Sequence, residues 1–130
     1  MLTYSQSTGI MTRDGAVIAR GFAGNDSRPG VNPGHIHGFN NPDAQDVHCI
    51  GPLPQGLYNI VEWQDEHPGL GPIVAILQQV EGETFGRDGF RIHGAAAVDP
   101  LNSSEGCIVL PYGERVALRA TGETQLRVTG

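Results

Sequence analysis

Two residues have the types and the spacing for covalent chemistry: His93, within Phe90-Arg91-Ile92-His93-Gly94, and Cys107, fourteen positions later within Ser103-Ser104-Glu105-Gly106-Cys107. A cysteine attacks as its thiolate, so near neutral pH it needs an imidazole or a favourable dipole beside it. It also needs N–H groups aimed at the oxyanion of a tetrahedral intermediate. Gly106 has no Cβ, which lets the chain turn sharply and come close to a substrate. The amides of Gly106 and Cys107 would then point at a reacting carbonyl. His93 stands at the tip of a strand ending at Ile92, and Gly94 opens the turn. The loop between them permits two neighbouring strands to set the side chains against each other. The same residues also read as packing. A cysteine followed by Ile108-Val109-Leu110 is commonly a small buried apolar side chain, and a histidine after a strand is commonly a surface or capping residue. Spacing alone leaves both readings open.

The elements that must position this pair are mostly strands. The 130 residues suit one domain, 1–130, with room for a real core. Charged residues are only 17%, while 19 glycines and 9 prolines punctuate the chain without a collagen-like period. Apolar runs bounded by turn formers predict strands at Leu2–Tyr4, Ile10–Thr12, Ala16–Arg20, Leu57–Trp63, Ile73–Val80, Phe90–Ile92, Ile108–Leu110 and Gln125–Val128. Asp14-Gly15 tolerates positive φ and marks a type I′ hairpin. Residues 24–55 are too rich in Gly, Pro, Asn and Asp for regular structure, yet Cys49, Ile50 and Leu53 suggest that they pack down. This stretch reads as an ordered cover over one side of the sheet. Pro111–Thr121 reads as the only helix, with Pro at its start, Tyr112, Val116 and Ala120 on one face, and Gly122 as its stop.

Other functional classes are disfavoured. The net charge is −6 with no basic stripe, so nucleic acid is a poor partner. No apolar run approaches the roughly 20 residues that span a bilayer, so no membrane insertion is expected. The N-terminus, Met1 to Gly9, lacks the basic and apolar regions of a signal peptide, which implies synthesis in the cytoplasm. A Cys49–Cys107 disulfide is not expected in such a chain. His35 and His37 lie on one side of an extended segment, with His48 beyond, but a metal site needs three or four suitably placed ligands. They read instead as a loop lining the substrate cleft, with solvated histidines as the plain alternative, and no metal or cofactor is called for. His67 reads as a turn residue. Ser103 and Ser104 lack the Gly-x-Ser-x-Gly elbow of serine hydrolases and read as hydrogen-bonding loop residues. Glu62, Asp65 and Glu66 beside Trp63 read as a strand running into a charged turn, not as a glycosidase pair.

The segments Ile92-His93-Gly94 and Ser103-Ser104-Glu105-Gly106-Cys107-Ile108-Val109-Leu110 resemble the signature of the L,D-transpeptidase catalytic domain. That pattern is His-Gly, a loop, then Ser/Thr-x-Gly-Cys-aliphatic. Tyr4–Gly9, Asn40–Pro42 and Gly51–Ile60 are similar to segments of a narrower branch, the L,D-transpeptidase-like effectors of type VI secretion that target peptidoglycan. The resemblance implies a mostly-β, sandwich- or barrel-like fold (YkuD-type) with one short helix after the cysteine. It implies His93 as general base and Cys107 as nucleophile, supported by Gly94, Ser104 and Gly106, with Ser103, Glu105, His35 and His37 along the cleft. The implied substrate is a peptidoglycan stem peptide, cut at the carbonyl before its terminal D-alanine through a thioester. Water as acceptor gives L,D-carboxypeptidase trimming, and a free D-amino acid gives exchange. The implied role is an antibacterial toxin acting in a target cell's periplasm, with a secretion apparatus and an immunity protein as partners. Glu105 and Val109 depart from the wider pattern, where a second histidine and an arginine or asparagine are common, and the His-to-Cys interval is slightly short. A rival reading is a non-catalytic wall-binding or phage-structural module with the same fold. A backbone carbonyl orienting His93 would leave no trace in sequence.

Overall fold

The computed structural model describes all 130 residues. Nine strands form one sheet: β1 (Leu2–Ser5), β2 (Ile10–Arg13), β3 (Ala16–Arg20), β4 (Phe22–Ala23), β5 (Gly56–His67), β6 (Gly71–Gly82), β7 (Arg91–His93), β8 (Ile108–Val109) and β9 (Gln125–Thr129). Their spatial order is β3-β2-β1-β9-β5-β6-β7-β8-β4. Strands β3 and β4 occupy opposite edges, yet Gly21 alone separates them in the chain. The sheet must therefore curl until its edges nearly meet, which makes it a nearly closed barrel. Register shifts in β2–β3 and twice in β5–β6 add the local bend that such curling needs.

Gly21 sits in the seam. Its N–H donates to the Gly9 carbonyl at 2.8 Å, and a Cβ built on it would lie 1.9 Å from the Val109 carbonyl oxygen. Only glycine lets the two edges approach this closely. Inside, Leu2, Tyr4, Met11, Leu53, Tyr58, Ile92, Ile108 and Leu126 are fully buried in one core. Along β1 and β9 these positions alternate with less buried ones, as a one-sided sheet requires, whereas β7 and β8 bury consecutive residues.

The Asp14-Gly15 turn has positive φ at both residues (51° and 87°), which a type I′ hairpin demands. The single α-helix, α1 (Tyr112–Ala120), follows Pro111 and buries Arg115 and Leu118. Gly122, at φ 72°, ends it. At nine residues it is no membrane span, and no helix here is long and apolar enough to be one. The 24–55 stretch is ordered as a cover. A 3₁₀ turn at Pro42–Ala44 and the buried segment Gly51–Pro54 anchor it.

Three expectations need correction. Strand β4 is too short to carry a readable pattern. The β5–β6 hairpin runs on through His67, so Asp65 and Glu66 lie in strand rather than in a turn. Its outer end is held by the backbone ladder and not by burial, so its polar sequence masks the strand. Cys49, expected to pack down, is exposed at φ 65°.

The seam gives a paired test by urea denaturation. Gly21→Ala should destabilise the protein by about 3 kcal/mol, because backbone rather than a movable side chain blocks the new methyl. Gly113→Ala, in α1 with nothing within 4 Å of the added Cβ, should stabilise it by about 0.5–1 kcal/mol. Equal effects would refute the account of closure.

Candidate active site

Strands β7 and β8 are parallel neighbours, with Ile92 opposite Ile108 and His93 opposite Val109. Side chains alternate faces along a strand. Ile92 and Ile108 therefore share the core face, while Arg91, His93 and Cys107 share the other. That second face opens onto a cavity of about 770 Å³ lined by both His93 and Cys107. The interval between them is the loop carrying a 3₁₀ turn at Pro100–Asn102, whose residues form one rim.

His93 is 4% exposed, and its Nδ1 lies 2.8 Å from the carbonyl oxygen of Gly94. A carbonyl oxygen only accepts, so Nδ1 carries the hydrogen and Nε2 keeps its lone pair as a base. Burial pushes the His93 pKa below the usual imidazole value, and the positive charges of Arg115, Arg28 and Arg91 push the same way. Cys107 is partly exposed as a residue, but the surrounding protein desolvates its thiol and raises its pKa above the ordinary value. The Arg91 N–H and the charges of Arg91 and Arg87 oppose that shift without reversing it. The thiol points at the Gly89 carbonyl oxygen, 3.7 Å away. These shifts favour a neutral thiol and a neutral imidazole over a stored ion pair.

The two glycines of the motif are explained by arginines. A Cβ on Gly94 would lie 2.6 Å from Nη1 of Arg115, and one on Gly106 would lie 2.5 Å from Nη2 of Arg87. Arg87 is 6% exposed and has no carboxylate partner. It donates instead to the carbonyls of Gln45, Pro52, Gly51 and Glu105, and its guanidinium sits 5.5 Å from the Phe90 ring centre. It thus ties the cover segment to the cysteine loop. Arg115 likewise donates to the carbonyls of Leu110, Pro72 and Ile73, tying α1 to the β6 strand and to the end of β8.

Ser104 is fully buried behind the wall. Its Oγ accepts from the N–H groups of Gly24 (2.9 Å) and Gly106 (3.0 Å) and donates to the Cys107 carbonyl (2.6 Å). The Gly106 N–H is therefore committed to Ser104 and does not face the cavity, which changes its expected part. Gly106 serves by making room for Arg87 and by adopting φ 132°. Asn25, also fully buried, donates from Nδ2 to the carbonyls of Cys49 and Ser104, fastening cover to loop.

Of the cleft residues expected from sequence, Gly94, Ser103 and Glu105 line the cavity with His93 and Cys107. His35 and His37 are not brought there. His35 is exposed at φ 52°, and His37 Nδ1 meets Asp26 Oδ1 at 2.8 Å on the outer surface. Of the three loop histidines read as cleft lining, His48 alone is there, and sequence reasoning missed Cys49, Arg28, Arg87 and Arg91, all of which line the cavity. A basic residue two before the motif histidine was the one readable signal among them. Arg28 is paired with Glu105 at 3.3 Å, so the departure at Glu105 fixes a rim contact. Cys49 and Cys107 are both free thiols.

Compared with known families, the chain matches the model of the Tlde1 domain over residues 31–128, three quarters of its length. No curated protein matches it.

The desolvated thiol has a measurable consequence. Alkylation of Cys107 by iodoacetamide, followed on its own peptide by mass spectrometry, should rise with pH to a midpoint above that of an ordinary cysteine. A raised pKa means less thiolate at pH 7 than a free cysteine has. A rate already at its plateau below pH 7 would show a stored thiolate instead.

Proposed function

The chain belongs to the family of the Tlde1 domain, a type VI secretion effector domain, and on that premise we propose that it is a cysteine acyltransferase acting on peptidoglycan stem peptides. Its reactions are removal of the terminal D-alanine from a tetrapeptide stem and exchange of that residue for a free D-amino acid. It acts as an antibacterial toxin in the periplasm of a target cell, after delivery by the secretion apparatus. The producing cell is protected by an immunity protein that covers the cavity.

One observation carries this reading: His93 and Cys107 share a face of paired strands and open onto one cavity, with Nδ1 of the histidine tied to a carbonyl. The steps follow from that arrangement. Nε2 of His93 takes the Cys107 proton as Sγ attacks the carbonyl before the terminal D-alanine. The oxyanion that forms is met by main-chain N–H groups, of which the amide of Cys107 is the nearest in sequence. His93 returns the proton to the leaving amine, D-alanine departs, and a thioester on Cys107 remains. Water, or the amine of a D-amino acid, then attacks the thioester with His93 again as base.

Mass spectrometry of tetrapeptide muropeptides incubated with the protein tests this. Release of D-alanine should appear with wild type and fall at least about 1,000-fold with Cys107→Ala and with His93→Ala, as removal of a nucleophile or its base does. With a free D-amino acid present, the exchanged tetrapeptide should accumulate. Release undiminished in the Cys107→Ala protein contradicts the reading, and no release by wild type favours a wall-binding module. Because burial lowers the His93 pKa, the base stays neutral as pH falls through 6.5. The acid limb of kcat/KM should therefore lie below pH 6.5, and a limb above it would contradict the assignment.

A further inference from the structure

The cavity contains three arginines, Arg28, Arg87 and Arg91, and they are not equivalent. Arg87 is saturated by four main-chain carbonyls. Arg28 is neutralised by Glu105 and also reaches the Ser103 carbonyl. Arg91 is neither saturated nor neutralised. It takes part in none of the ion pairs of the structure. Its Nη1 donates to the Gly89 carbonyl at 2.8 Å, and its Nε is buried with no partner at all. A guanidinium carries five N–H donors in a rigid fork and keeps its charge. A buried donor left unmade is costly, so this group is built for an acceptor that arrives with a ligand.

Its place says which acceptor. Continuing the β7–β8 register by one residue sets Arg91 opposite Cys107 on the cavity face. The Arg91 guanidinium and the Cys107 thiol converge on the same Gly89 carbonyl oxygen, at 2.8 Å and 3.7 Å. An anion held by Arg91 must lie close to the carbon that Sγ attacks. In a peptide cut before its last residue, only the amide nitrogen and one α-carbon separate that carbon from the terminal carboxylate. In a peptide cut internally, a neutral peptide carbonyl occupies the same place.

We propose that Arg91 is the carboxylate anchor of the site and restricts it to bonds whose leaving residue carries a free α-carboxylate. The inference rests on the acyl-transfer reading and deepens it. The departing D-alanine and an incoming free D-amino acid present the same carboxylate, so one cation positions the leaving group of acylation and the acceptor of exchange. In exchange the acceptor's amine forms the new amide bond, the C–S bond breaks, and the amine's proton passes through His93 back to the thiol. Water needs no anchor, so hydrolysis of the thioester depends on Arg91 less than exchange does.

Two measurements on wild type, Arg91→Gln and Arg91→Lys test this. The first compares a tetrapeptide stem ending in a free acid with the same peptide ending in an amide. Wild type should prefer the acid at least about tenfold in kcat/KM, the worth of a charge-assisted hydrogen bond. Arg91→Gln should lose that preference through KM for the acid, and Arg91→Lys should keep part of it. The second needs no peptidoglycan: the rate of Cys107 alkylation by iodoacetate relative to neutral iodoacetamide, read on the Cys107 peptide. That ratio should fall about tenfold in Arg91→Gln and be largely kept in Arg91→Lys. If Arg91→Gln does not fold, Arg91→Ala with added guanidinium ion and Arg91→Lys carry the comparison. An unchanged acid-to-amide preference together with an unchanged alkylation ratio overturns the anchor. The failures are separable. D-alanine release by wild type with no Arg91 dependence sinks the anchor alone. An Arg91-dependent alkylation ratio without D-alanine release sinks the stem-peptide reading and leaves a carboxylate site.

Discussion

Two guanidinium groups buried against main-chain carbonyls are the constraint on which the site depends. An unpaired buried cation costs several kcal/mol, and carboxylates are the usual remedy. Arg87 and Arg115 are satisfied instead by carbonyl oxygens from segments far apart in the chain. Each therefore holds the chain in place and leaves its positive charge uncancelled. Each also lies directly over a glycine of the histidine–cysteine motif, so Gly94 and Gly106 are glycines because a guanidinium fills the space where a Cβ would stand. Replacing either glycine would move an arginine, and with it the walls of the cavity.

That arrangement bears on the electrostatics of His93 and Cys107. Burial favours the neutral forms of His93 and Cys107, and the surrounding arginine charges lower the pKa values of both. For the histidine the two effects add, giving a base that stays unprotonated below the ordinary imidazole range. For the cysteine they oppose, and desolvation wins. On the proposed reading, a substrate that displaces water and puts an anion beside Arg91 meets a thiol whose proton passes to His93. Neutral side chains complete the polar frame that the two arginines begin. Ser104 and Asn25, both buried, fasten the cover segment to the cysteine loop, and buried Asn32 braces the cover itself by bonding Asn25 and Ile36.

Much of the fold was legible because barrel strands alternate and their turns announce themselves. Ala16–Arg20 and the Asp14-Gly15 turn are local matters of pattern and φ, as is the helix after Pro111, and they stand where the pattern puts them. Parallel pairing of β1 with β9, and of β7 with β8, depends on closure of the whole sheet and has no local signal. The outer β5–β6 hairpin was hidden by its own polarity. In the site, His93 and Cys107 were visible as residue types at strand ends, but the carbonyl that orients the histidine is backbone and leaves no sequence mark. His35 and His37 misled because period-two spacing says nothing about which surface a loop faces. Arg87 and Arg115 were invisible for a different reason: a buried cation satisfied by carbonyls looks, in sequence, like any surface charge.

The central claim is that Cys107 carries the acyl group. Intact-protein mass spectrometry after rapid quenching with a tetrapeptide muropeptide tests it most directly. The account predicts an adduct equal to the muropeptide less D-alanine, located on the Cys107 peptide and released by hydroxylamine. It also predicts no such adduct in the His93→Ala protein over the same interval. D-alanine released at the wild-type rate by a Cys107→Ser protein, with no adduct on Cys107 in wild type at any quench time, would contradict it.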